Sequence, residues 1–174
     1  VSTNNISWCT NSIYTNALIT AGIYDAKVIV SAPFEVSGTA ALTGIYKAFE
    51  DITGQEISED AKDAGTLEMV VTSELADAVG DEQATEVVND LKSILDETGD
   101  MTDEELSKEV EKIADDHEVT LTDEQIDKLV ELVRSLEKLD ISEIMDQVDK
   151  LKDKLDELAG ESKGFFVSSA TLQK

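Results

Sequence analysis

Ala26-Lys27-Val28-Ile29-Val30-Ser31-Ala32-Pro33-Phe34-Glu35-Val36-Ser37-Gly38-Thr39-Ala40-Ala41-Leu42 is the stretch on which the fold turns. β-Branched residues dominate 26–32 and Pro33 lacks an amide donor, so the stretch predicts a strand over 26–32 that ends before Pro33. Ser37 is placed to cap a helix from about Gly38 to Ile52, and Gly54 to stop it. Upstream, Ile6 to Cys9 reads as a short strand. Thr10 or Asn11 can then cap a helix carrying Ile13, Tyr14, Ala17, Leu18 and Ala21, which Gly22 ends. The order is β-α-β-α, and a sheet of at least two strands follows from it. Two strands alone are marginal. Sequence upstream or the C-terminal segment would have to supply more.

From Ser58 onward the period is helical. A helix from about Glu59 to Val79 carries Leu67, Val70, Val71, Leu75, Ala78 and Val79, with Gly65 placed to bend it. The next, Glu82 to Glu97, repeats Ala84, Val87, Val88, Leu91, Ile94 and Leu95 at three/four spacing. Thr102-x-x-Glu105 and Thr122-x-x-Gln125 are capping boxes, opening helices at Asp103–Asp115 and Asp123–Leu139. A last helix, Ile141 to Leu158, holds Ile141, Ile144, Val148, Leu151, Leu155 and Leu158 in heptad register. That run is short for a zipper, and packing into the chain's own bundle is the simpler outcome. After Gly160, Phe165-Phe166-Val167-Ser168-Ser169-Ala170-Thr171-Leu172 has the composition of a strand, which could complete the N-terminal sheet or pair with a neighbour's edge. The expected fold is α+β and predominantly helical. It comprises a neutral α/β portion over residues 1–54, an acidic helical bundle over 55–160 and a strand or tail over 161–174.

Charge divides the chain in the same place. Residues 1–49 hold Asp25 and Glu35 against Lys27 and Lys47, whereas 50–163 hold 37 acids against 11 bases, and the chain totals −25. Nucleic acid and anionic lipid surfaces need Lys or Arg to neutralise phosphate, so neither is an expected partner. Hydrophobic content of 41% sets the chain apart from disordered acidic tails. No window approaches the roughly 18 apolar residues of a membrane span. The polar first residues show no signal-peptide pattern.

The chemistry-bearing patterns are sparse. An EF-hand frame from Asp96 places Met101 where glycine is required and Ser107 where the bidentate glutamate belongs. Asp115-Asp116-His117-Glu118 gathers the sole histidine with three carboxylates, a weak metal candidate because one contiguous run rarely wraps an ion. Cys9, the sole cysteine, can form no intrachain disulfide. It reads as a small apolar residue beside Trp8, or as a thiol that pairs between molecules. Ser37 to Gly44 follows a strand and opens a helix, where backbone amides can hold an anion, but it lacks the Gly-x-Gly-x-x-Gly order and a phosphate-binding lysine. The smooth stripe Ala40, Gly44, Ala48 offers a packing explanation instead. No cofactor is implied.

The run Tyr14 to Ile23, then Asp25 to Val28, then Ala32-Pro33-Phe34-Glu35-Val36-Ser37-Gly38-Thr39-Ala40-Ala41-Leu42-Thr43-Gly44-Ile45, resembles the YpuA-like family of secreted Firmicutes proteins. This is a domain of unknown function. Val70-Val71-Thr72-Ser73-Glu74-Leu75 and the acidic helices fit the same pattern, and the likeness runs from about residue 6 to 158. The resemblance implies an extracellular or cell-surface setting, with a signal peptide and a further segment upstream, so the chain reads as processed or trimmed. It brings no activity and no catalytic residues.

The expected function is therefore non-enzymatic contact with a protein partner or with a second copy of the chain. Terminal strands would carry it, through Trp8, Cys9, Phe165, Phe166, Val167 and Leu172. Two alternatives stay open. One is an extracellular hydrolase with a carboxylate near Trp8, Tyr14 and Tyr46; the other is an acidic surface protein with weak divalent cation binding.

Overall fold

The computed structural model describes residues 1–24 and 26–153, and they form an α+β fold that is mostly helical. Its strands are β1 (Ser2–Ile6) and β2 (Ile29–Val36). Its helices are α1 (Asn11–Thr20), α2 (Thr39–Thr53), α3 (Glu59–Val79), α4 (Asp81–Ser93), the single turn α5 (Leu95–Thr98), α6 (Asp103–Asp116) and α7 (Asp123–Leu136). Helix α8 is described over residues 141–153. Leu155, Leu158 and the expected strand of residues 164–172 lie outside the described residues.

The β-α-β order closes into a parallel pair, with Ser2 opposite Ile29 and Asn4 opposite Ser31. Both strands are displaced from their sequence expectation. β1 covers residues 2–6 rather than 6–9, and β2 begins at Ile29 and runs through Pro33. The proline is tolerated because register slips there: Asn4 faces Ser31 but Ile6 faces Val36. Residues 32–35 thus bulge away from a regular ladder, where a missing amide costs little. Asn5, at φ 58, sits opposite the bulge and its side-chain amide donates to the Ala32 carbonyl at 2.7 Å.

Thr10 caps α1, and Thr102 and Thr122 close the two expected capping boxes. Ser37 does not cap α2. Gly38 holds that position at φ 100, with its carbonyl taken by the Tyr14 hydroxyl. A Cβ there would lie 2.5 Å from Ile6 Cγ2, so sterics as well as φ demand glycine. The sole arginine, Arg134, ties the turn before α6 to α7, donating to the Thr98 and Met101 carbonyls and pairing with Asp103 and Glu137.

Two hydrophobic clusters share α3. The smaller gathers Cys9, Ile13, Tyr14, Ala17, Leu18, Leu42, Tyr46 and Met69; the larger gathers Val71, Leu75, Val87, Leu91, Leu106, Val110, Leu129, Val133, Ile144 and Val148. Ile141, Ile144 and Val148 of α8 therefore pack into their own chain. Because α3 touches α1, α2, α4 and α7, it is buried over more of its circumference than one stripe predicts. Gly65 marks no bend. A Cβ there would sit 2.7 Å from the Ala17 carbonyl, so the glycine allows α1 and α3 to approach closely.

Between the clusters runs a buried polar layer. Lys92 (0% exposed) pairs with Glu68 (1%) at 2.9 Å, and Glu68 also accepts from the Thr20 hydroxyl. Asn16 donates to Asn89 at 2.8 Å, and its carbonyl receives Lys92 at 3.4 Å. Helices α1, α3 and α4 are thereby locked in one register.

Removing one charge strands the other away from water. Lys92→Met and Glu68→Met are each expected to cost about 3–5 kcal/mol in urea unfolding, and the double replacement by methionine to recover most of it. Single losses that simply add in the double variant would show the pair is not coupled. Gly65→Ala is expected to lower stability by about 1–3 kcal/mol by overpacking against α1; an unchanged urea midpoint would show that the helices yield instead.

Candidate functional site

Helix α2 is held by a narrow stripe. Leu42 and Tyr46 are buried, with Ala41, Ile45 and Phe49 half-buried, while Ala40, Gly44 and Ala48 face outward. The stripe of small residues expected to pack is therefore exposed, because α2 rests on α3 and the smaller core through its other face. Beside it, β2 has β1 as neighbour along one edge only among the described residues. Between the start of β2 and α2 lies a groove of about 620 Å³. Its walls are Val28, Ile29 and Val30 from the strand side, Ala41, Gly44, Ile45, Ala48, Phe49 and Ile52 from the helix, and Ile23 and Tyr24 at one end.

Among the described residues of that lining, Lys27 is the single charged side chain. The large apolar side chains left exposed among the described residues are Val1, Ile29 (67%), Phe34 (68%) and Ile52 (84%). All four belong to the first fifty-two residues. Apolar exposure among the described residues is therefore concentrated where the charge is least. Among the described residues, the outer edge of β2 has no strand paired to it.

The other flagged residues lie elsewhere. Cys9, expected at an interface, is 1% exposed and belongs to the smaller core, where burial pushes its thiol up and the Ser73 hydroxyl at 3.9 Å partly offsets this. Trp8 is half-buried and donates through Nε1 to Asp77 at 2.8 Å. Phe165, Phe166, Val167 and Leu172 lie outside the described residues. Tyr14 and Tyr46 are core residues. Burial, and then the nearby Cys9, push the Tyr14 hydroxyl up to about 12, and burial raises that of Tyr46 as well. Neither Tyr14 nor Tyr46 is open to a substrate.

The acidic run around His117 is taken apart by the fold. Asp115, Asp116 and Glu118 are exposed, with Glu118 at φ 59 just beyond α6. His117 turns away from them to α4, with Nε2 2.7 Å from Asp90 and Nδ1 3.3 Å from Glu86. Lys152 on α8 reaches the other Asp90 oxygen at 2.7 Å. Burial pulls the Asp90 carboxyl up, but Lys152 and His117 outweigh it and hold it below the usual range. No group of three or more metal-ligating side chains is placed to hold an ion among the described residues. No helix among them is long and apolar enough to cross a membrane.

The fold and groove define a small parallel β-α-β-α unit built onto an acidic helical bundle. The chain belongs to the family described as "Protein of unknown function (DUF1002)", whose model matches residues 1–157. It is similar to "Uncharacterized protein YpuA" of Bacillus subtilis (strain 168), at 44% identity over 180 residues that take in 97% of this chain. The chain spans 62% of the length of that relative. No solved structure matches it.

Burial of Cys9 predicts that Ellman's reagent labels the native chain far more slowly than the unfolded one at mildly alkaline pH. Equal rates would place the thiol at the surface. The exposed positions of Asp115, Asp116 and Glu118 predict that millimolar calcium raises the melting temperature no more than sodium chloride of equal ionic strength, since both only screen the excess charge. A rise confined to calcium would reveal a cation site.

Proposed function

We propose that this protein is a non-enzymatic contact module of the cell exterior. Its contact surface is the groove between β2 and α2, and its natural ligand is an extended polypeptide segment. The observation that carries this is the coincidence of an open β2 edge with an apolar, nearly uncharged groove. Edges of this kind recruit extended peptides through main-chain hydrogen bonds, and the adjoining pocket selects their side chains. The extracytoplasmic setting is supported by the resemblance to secreted proteins.

The acidic bundle has a separate part. It keeps the chain soluble and repels polyanions, while the neutral groove stays free of that repulsion. Specificity would then come from what the groove excludes, since a charged side chain entering it would lose water without gaining a partner.

A displayed library of uncharged nine-residue peptides, panned on the full chain, is expected to yield binders. Ile52→Gln combined with Ile29→Thr is expected to weaken them about tenfold or more, while moving the urea midpoint little because both side chains are exposed. An empty selection, or binders indifferent to both substitutions, would refute the groove as the contact surface.

A further inference from the structure

We infer that the unit formed by β1, α1, β2 and α2 undocks from α3 and α4 as a folded body while the helical bundle stays intact, so that the seam over Glu68 and Lys92 is a built-in point of opening. The β2–α2 groove lies within this unit and travels with it.

The two cores divide where such a joint requires. Among the described residues, every buried member of the larger cluster comes from Ala64 onward, and in the smaller one only Ile57 and Met69 lie beyond Tyr46. Each body therefore keeps most of its own apolar packing when the two part, which is the pattern of a cooperative unit that opens more easily than the whole chain unfolds. The face that α3 turns to α1 supplies little apolar attraction. Helical spacing sets Ala61, Gly65, Glu68, Thr72 and Ala76 on one stripe. That stripe meets α1 where Gly65 lies under the Ala17 carbonyl and where Glu68 accepts from Thr20. Beside it, Met69 is the one large apolar side chain that α3 buries in the smaller core.

The polar groups of the seam favour opening as well. Glu68 and Lys92 belong to α3 and α4, both on the bundle side. Departure of α1 leaves their ion pair whole and admits water to charges that are 1% and 0% exposed in the docked form. Asn16 Oδ1 on α1 and Thr72 Oγ1 on α3 are buried without a hydrogen-bond partner among the described residues, and undocking returns both to water. The bonds that do cross run from Trp8 to Asp77, from Thr10 and Ser12 to Asp81, and from Asn16 to Asn89, and water can replace each of them. The lock on register is thus specific in geometry and weak against separation. Cys9 reports its opening, because this buried thiol sits 3.9 Å from the Ser73 hydroxyl of α3.

The test measures thiol labelling by Ellman's reagent in increasing urea, each rate divided by that of the unfolded chain, alongside global unfolding of the same protein. Three chains with one thiol each are compared. They are the unaltered chain with Cys9, and Cys9→Ala carrying either Thr72→Cys on the α3 side of the seam or Val133→Cys in the larger core. Cys9 is expected to label at least about tenfold faster than global unfolding allows, with a distinctly shallower urea dependence. Thr72→Cys should match it in rate and slope, and Val133→Cys should label only through global unfolding. Cys9 labelling at the rate and slope of global unfolding overturns the inference from the unaltered chain alone, whatever the variants do. Fast labelling of Cys9 with Thr72→Cys as slow as Val133→Cys overturns it too, since only the chain around residue 9 then opens. Fast, shallow labelling of Val133→Cys shows that the bundle opens with the seam, and likewise overturns it.

Discussion

The buried pair between Lys92 and Glu68 is the constraint around which the remaining contacts are arranged. An ion pair with 0% and 1% exposure cannot be solvated, so its partners must come from protein. Thr20 and the Asn16 carbonyl on α1 complete it, which means that α1, α3 and α4 can meet in one register only. Asn16 and Asn89 repeat the lock one step along. Thr10 and Ser12 add a third connection, both donating to Asp81 at the start of α4. The neutral β-α-β-α unit is therefore joined to the acidic bundle through specific hydrogen bonds as well as shared apolar packing.

This junction decides where the open surface falls. With α1 committed to α3 and α4, α2 closes the smaller core from the other side. It does so with Leu42 and Tyr46, supported by the Tyr14 hydroxyl at Gly38. Everything on the far side of α2 stays uncovered, including Gly44, Ala48 and Ile52. The neutrality of that side follows from the sequence, since residues 1–49 contribute no net charge.

Local signals read well in this chain because their causes are local. Thr102 and Glu105 satisfy each other's amides within one turn, and so do Thr122 and Gln125; both boxes occur as the spacing predicts. Thr10 before α1 and Gly54 after α2 behave in the same way. The strands read less well. Val28 and Pro33 have clear propensities, but where β2 starts and how it passes its proline depend on pairing with β1, twenty-odd residues away. The side chain of Ser37 suits a cap, yet the crowding of Ile6, Cys9 and Tyr14 around Gly38 hands that place to the glycine.

By itself the sequence determined the capping boxes of the bundle, the partition of charge, and the neutral part as the place to look for a site, but not the break at Ile94 that divides the expected helix Glu82–Glu97 into α4 and α5. The first three are properties of nearest neighbours and of composition. Only the tertiary structure decided that Glu68 and Lys92 are buried, that Gly65 is a contact rather than a hinge, that His117 faces Asp90 and not its own acidic neighbours, and that Ala40, Gly44 and Ala48 face outward. Each depends on which face of a helix meets another element. A periodic pattern marks that a face exists, but α3 has partners on several sides, and no period encodes which of them approaches closest.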